Sequence, residues 1–121
     1  MIKTKLALDH FVSTEYLREE EIAQLIHRAL EFKQMPEELL PSYTGEYVSN
    51  LFFENSTRTH LSFEMAERKL GMTVLPFDPS TSSITKGETL LDTAITLEAL
   101  GVDTIVIRSS EQDYYQKLIA S

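Results

Sequence analysis

The sequence predicts an α/β fold, a parallel sheet with helices on both faces and incomplete at one edge. Two observations predict it. Three short apolar runs, Tyr47–Phe53, Thr73–Phe77 and Asp103–Arg108, are separated by helix-length periodic segments, Arg58–Leu70 and Glu88–Leu100. Strands joined through helices form parallel sheets with helical crossovers. The first run also turns continuously apolar at Leu51-Phe52-Phe53, which suits a strand buried on both faces.

Each element has its own signal. Ile22, Leu25, Ile26, Ala29 and Leu30 recur at helical spacing and predict a helix over Arg18–Gln34, with Pro36 just past its end. Met35–Gly45 holds Pro36 and Pro41 and reads as a connection. The helix Arg58–Leu70 is followed by Gly71, the residue expected after a last turn. It carries two apolar stripes: Phe63, Ala66 and Leu70 toward the sheet, and Leu61 and Met65 nearly opposite. The second stripe expects either the N-terminal helix or a separate partner as its cover. Asp78–Gly87 is a hydroxyl-rich loop. Glu88–Leu100 presents Leu90, Leu91, Ala94, Ile95 and Leu97 on a broad face, and Gly101 closes it. Glu111 starts a last helix that reaches Ile119-Ala120-Ser121 with no strand behind it. A three-stranded parallel sheet is small, so the chain is expected to be part of a longer protein.

The composition narrows the function. A chain of 121 residues is one domain at most. Nineteen acidic residues against 11 basic give a net charge of -8. Nucleic acid and anionic membranes need a basic footprint, so neither is an expected partner. There is no cysteine, and His10, His27 and His60 show no metal-ligand spacing. No leader-like or membrane-length apolar run is present, which makes the cytoplasm the expected location.

Ser56-Thr57-Arg58-Thr59 follows the first strand and opens a helix. Ligands of open parallel sheets bind outside the carboxyl ends of strands. Unpaired amides and the dipole at a helix start attract anions. Hydroxyls add donors, and Arg58 adds a planar fork suited to phosphate. An ordinary helix cap with solvated neighbours explains the same residues, and both readings stand at this point. Ser80–Glu88 brings hydroxyls and Lys86 before a helix, without the spacing of a P-loop; a solvated loop is its plain reading. Arg108 ends the third strand at the same sheet edge as Ser56, and Glu54 directly follows the first strand. Convergence on one edge raises an anion-binding reading above what any single feature supports.

The string FFENSTRTHLSFEMAERKLG, followed by SSITKGETLLDT and VDTIVIR, resembles the N-terminal, carbamoyl-phosphate-binding domain of the aspartate carbamoyltransferases, from about Leu17 to about Leu118. The order and spacing are specific to transcarbamylases, and Lys86-Gly87-Glu88-Thr89-Leu90 with Asp92-Thr93 favours the aspartate enzymes over the ornithine enzymes. The resemblance implies transfer of a carbamoyl group from carbamoyl phosphate to L-aspartate, giving N-carbamoyl-L-aspartate and phosphate for pyrimidine biosynthesis, with no cofactor and no metal.

It further implies that Ser56, Thr57, Arg58 and Thr59 hold the phosphate, and that Thr59 and Arg108 touch the carbamoyl oxygen. Ser83 (or Ser82, in the alternative register) and Lys86 would reach a neighbouring subunit's site in a homotrimer, and Glu54 would support interdomain closure. Residues 1–121 would be a partial carbamoyl-phosphate-binding domain. The aspartate-binding domain and a His-Pro-x-x-Gln segment would lie beyond Ser121, and the chain alone would be inactive. Two departures stand out. His60 occupies a position usually basic in the family, so a structural ion pair is expected to be lost or pH-dependent. Ser109 follows Arg108 where the family commonly has histidine. An ornithine or other amine transcarbamylase, and a non-catalytic phosphate-binding module of the same fold, remain the alternatives.

Overall fold

The computed structural model describes residues 10–79, 89–110 and 114–120. The residues up to Leu40 form one compact unit and those from Pro41 onward a second. In the first, α1 spans Glu19–Gln34. Its start is fixed by Glu21, whose carboxylate accepts the Arg18 N–H at 3.0 Å and the Arg18 Nε–H at 3.3 Å. On the predicted apolar face Ile22 and Leu25 are half-buried, whereas Ile26 and Leu30 are exposed.

The second unit contains β1 (Tyr47–Phe52), α2 (Thr57–Lys69), β2 (Thr73–Val74), α3 (Leu90–Leu100), β3 (Thr104–Arg108) and α4 (Tyr115–Ala120). The sheet is parallel, in the order β2-β1-β3. Its centre is β1, buried from Val48 through Phe52, as the apolar run predicts. Val48 pairs with Thr104 and Phe52 with Arg108. The far end is pinned by Asp103, whose carboxylate accepts the Tyr47 N–H at 2.8 Å while its own N–H donates to the Tyr47 carbonyl at 2.9 Å.

The two faces of β1 differ. Leu51 points to a core with Leu97 of α3 and Val102, joined by Phe53, Leu75, Phe77, Ile105 and Ile107. The alternate residues Asn50 and Phe52 meet α2 on the other face. Helices therefore cover both faces.

Four expectations need correction. Strand β2 ends at Val74 rather than Phe77: the Leu75 carbonyl accepts from Ser49 Oγ at 3.0 Å, and Pro76 has no N–H to extend the ladder. On α2 the residue buried against the sheet is Glu67, not the Phe63, Ala66 and Leu70 stripe. The polar Asn50 on β1 selects it, donating from Nδ2 to Glu67 Oε1 at 2.7 Å. Phe63 lies exposed, with its ring tilted against Phe52. On α3 Ile95 lies exposed, and Leu97 carries the burial. The helix expected from Glu111 starts at Tyr115, residues 111–113 lying outside the described residues.

Helix α2 ends in a left-handed Gly71 at φ 82, with the Met72 N–H returning to the Glu67 carbonyl at 3.0 Å. A Cβ there would lie 3.0 Å from Thr44 Oγ1, whereas one at Gly45, φ 93, would meet nothing within 4 Å. Both Gly71→Ala and Gly45→Ala should lose about 1–2 kcal/mol to the left-handed backbone, with Gly71→Ala the costlier. Urea unfolding of the two variants measures the difference; equal losses would rule out the close approach to Thr44.

Candidate functional site

The strand order reverses its winding at β1, so β1 and β3 leave the sheet toward different crossovers. Their carboxyl ends flank a topological switch point, where open α/β sheets place ligands. Phe52 and Arg108 are paired there, and the ladder continues one bond further, with the Phe53 N–H donating to the Arg108 carbonyl at 2.9 Å. The segment 53–56 then leads into α2.

Ser56 is the residue before α2, yet its hydroxyl makes no capping bond. The first backbone bond of the helix runs from the His60 N–H to the Ser56 carbonyl at 2.9 Å. The amides of Thr57, Arg58 and Thr59 precede it and are left without a helical acceptor. The start of α3 is different: Thr89 accepts the Asp92 N–H at 3.1 Å, and Asp92 accepts the Thr89 N–H at 3.3 Å. A sequence cap of the ordinary kind is thus made at Thr89 and not at Ser56. Arg58 is exposed and makes no ion pair among the described residues.

Glu54 and Arg108 are brought together, Arg108 Nε–H donating to Glu54 Oε2 at 3.2 Å. Glu54 therefore binds an arginine inside this chain, a partner its position in sequence did not identify. Only Nε of the guanidinium is engaged among the described residues, which leaves the Nη pair of the fork.

An open cleft of about 670 Å³ adjoins this edge. Its polar lining is Glu54, Asn55, Ser56, Thr57, His60 and Asp78, and its apolar lining Phe52, Phe53, Phe77 and Pro79. Arg58, Thr59 and Arg108 do not line it. His60 makes no ion pair among the described residues; it stacks flat on Phe52 with centroids 4.7 Å apart, while Glu64 pairs with Arg68 at 3.1 Å. Sequence reasoning missed the Asn50–Glu67 pair and the Phe77 wall. The spacing of His60, Glu64 and Glu67 on one helical face was the available signal for the first. Ser82, Ser83 and Lys86 lie outside the described residues.

No cluster of metal-ligating side chains occurs among the described residues, and none of their helices is long and apolar enough to cross a membrane. The arrangement offers amides, hydroxyls and two arginines at one sheet edge, a donor set for a phosphate-like anion.

Comparison with known proteins identifies a family. The family model for the carbamoyl-phosphate-binding domain of aspartate/ornithine carbamoyltransferases matches residues 9–121. The aspartate carbamoyltransferase catalytic subunit of Ligilactobacillus salivarius is 63% identical over 115 residues, covering 94% of this chain and 36% of that protein. The corresponding subunit of Staphylococcus epidermidis is 55% identical over 111 residues, covering 92% and 38%. Among solved structures, Trypanosoma cruzi aspartate transcarbamoylase in complex with carbamoyl aspartate and phosphate superposes with a TM-score of 0.79 at 36% identity, covering 91% of this chain and 36% of that one. The same enzyme with carbamoyl phosphate gives 0.78 at 36% identity, covering 89% and 36%. The chain thus spans little more than a third of the length of these relatives.

If Ser56 is a ligand hydroxyl and not a cap, Ser56→Ala should change stability by only a few tenths of a kcal/mol, whereas Thr89→Ala should lose about 1 kcal/mol. Thermal unfolding of both variants is the measurement, and a full capping loss at Ser56 would contradict the geometry.

Proposed function

Because the chain belongs to the family of carbamoyl-phosphate-binding domains of the aspartate/ornithine carbamoyltransferases, we propose that it supplies the carbamoyl-phosphate half of an aspartate carbamoyltransferase. One observation carries the reading: three uncapped amides, Thr57–Thr59, open α2 at the switch point where Arg108 ends β3. In this reading Ser56, Thr57, Arg58 and Thr59 hold the phosphate. Thr59 and Arg108 hold the carbamoyl oxygen.

The chemistry asks for these groups. As the amine of L-aspartate adds to the carbamoyl carbon, negative charge grows on the carbonyl oxygen; as the C–O bond to phosphate breaks, it grows on the leaving group. Amides fixed by the helix and the Arg58 and Arg108 guanidiniums stabilise both without reorganising. Holding the two substrates in line contributes much of the remaining acceleration. The Arg108 Nη pair faces no competitor among the described residues, while Glu54 fixes Nε and so the plane of the fork. Glu54 also serves interdomain closure in this reading.

The wider assembly is part of the proposal: a cytoplasmic homotrimer in which Lys86 and Ser83 (or Ser82) complete a neighbour's site. The relatives named above act as catalytic subunits for aspartate, which supports that amine over ornithine. Assaying the gene's full product with L-aspartate and with L-ornithine separates the two, and separates both from a binding module without turnover.

Calorimetry of the 121-residue chain with phosphate and with carbamoyl phosphate should detect binding. Arg58→Ala should weaken it by about 1.5–3 kcal/mol, the range for a hydrogen bond to a charged group. Unchanged affinity would remove Arg58 from the site. The same chain alone should form no N-carbamoyl-L-aspartate, because the described site presents groups for only one of two substrates; product in a colorimetric assay would overturn this.

A further inference from the structure

The contact that seats α2 on β1 is one the proposed reaction does not use. Glu67 is 6% exposed and Asn50 3%. Asn50 Nδ2–H donates to Glu67 Oε1 at 2.7 Å, and two atoms of the same pair, Asn50 Oδ1 and Glu67 Oε2, are buried with no hydrogen-bond partner. With an ionised carboxyl both orphans are acceptors, and each costs the full desolvation of a polar group. An amide and a neutral carboxylic acid are complementary instead. The amide N–H donates to the acid carbonyl, and the acid O–H donates to the amide oxygen.

We propose that Glu67 is the neutral acid in the folded protein and that its Oε2–H donates to Asn50 Oδ1, closing a two-bond acid–amide pair that clasps α2 to β1. A single proton satisfies both orphaned atoms. A cavity of about 100 Å³ lies nearby, lined by Asn50, His60, Glu64 and residues 74–77, but Glu67 does not line it, so a solvent molecule there would reach Asn50 and leave Glu67 Oε2 orphaned.

The surroundings favour the proton. Burial raises the Glu67 carboxyl above the usual carboxylate range; the Asn50 bond opposes this, Glu64 adds to it, and His60 and Arg68 oppose it. Arg68 is itself paired with Glu64. The facing residues of β1, Val48, Asn50 and Phe52, and Val74 of β2 bring no charge. The clasp sits two turns behind the first turn of α2, whose amides form the candidate anion site, so it positions that turn on the sheet. The clasp itself does not rest on the proposed reaction and is tested without any ligand.

The test is a carboxyl NMR titration of Glu67 in the wild-type chain, with urea unfolding of wild type and Glu67→Gln from about pH 4 to about pH 8. Glutamine closes the same pair at every pH, its amide N–H donating to Asn50 Oδ1. Glu67 should remain protonated well above about 4.3, the ordinary glutamate value. In that window the folded state holds a proton that the unfolded state has released. Wild-type stability should therefore fall relative to Glu67→Gln as pH rises from the ordinary value, the ratio of unfolding constants growing by up to about tenfold per pH unit until the folded carboxyl ionises. Below the ordinary value the ratio should be constant. Titration of Glu67 at or below that value, or parallel stability profiles for the two proteins, would overturn the proposal. The wild-type titration decides it even if the variant does not fold.

Discussion

The parallel ladder that sets Phe52 beside Arg108 fixes where chemistry is available in this fold. Strand β1 is bonded on both edges and buried on both faces, so neither neighbour can slide without exposing Val48 or Leu51. Asp103 locks the opposite end of the same ladder through both hydrogen bonds to Tyr47. With both ends fixed, Arg108 and the start of α2 emerge at one level of the sheet. The geometry of the candidate site therefore comes from the hydrogen-bonded ladder, and the segment 53–56 connects it to α2.

The two faces of β1 contribute differently. Leu51, Leu97 and Val102 pack by non-directional burial, which tolerates changes of shape better than of polarity. The Asn50–Glu67 and Phe52–His60 contacts are directional, one a hydrogen bond and the other a flat ring stack. A helix held only by apolar side chains could settle in several rotations about its axis. The polar contact selects one, and with it the direction in which the Thr57–Thr59 amides point.

The legible parts of the sequence were those where composition and period agree. The apolar run ending in Leu51-Phe52-Phe53 gave the central strand, and Gly71 and Gly101 gave both helix ends. That Ser56–Thr59 and Arg108 share one sheet edge followed from their standing at strand carboxyl ends, whereas the switch point needed the strand order of the structure. What could not be read was pairwise. A carboxylate on a helix is exposed by default, and nothing local marks Glu67 as the one that Asn50 buries. Ser56 looked like a cap because serine commonly is one, and only the backbone geometry separates it from Thr89. The partner of Glu54 lies 54 residues away across the sheet, a distance no local pattern reaches.

Strand β3 has a use for its end charges before the fold exists. Thr104-Ile105-Val106-Ile107 is β-branched throughout and contains no charge, the composition that favours strand pairing between chains. Parallel sheets form slowly because their contacts are distant in sequence, so this segment stays unpaired for longer than a hairpin strand would. Asp103 and Arg108 bracket it. The residues that later lock the ladder to Tyr47 and Glu54 thus act first as gatekeepers, opposing aggregation of the nascent chain by their charge.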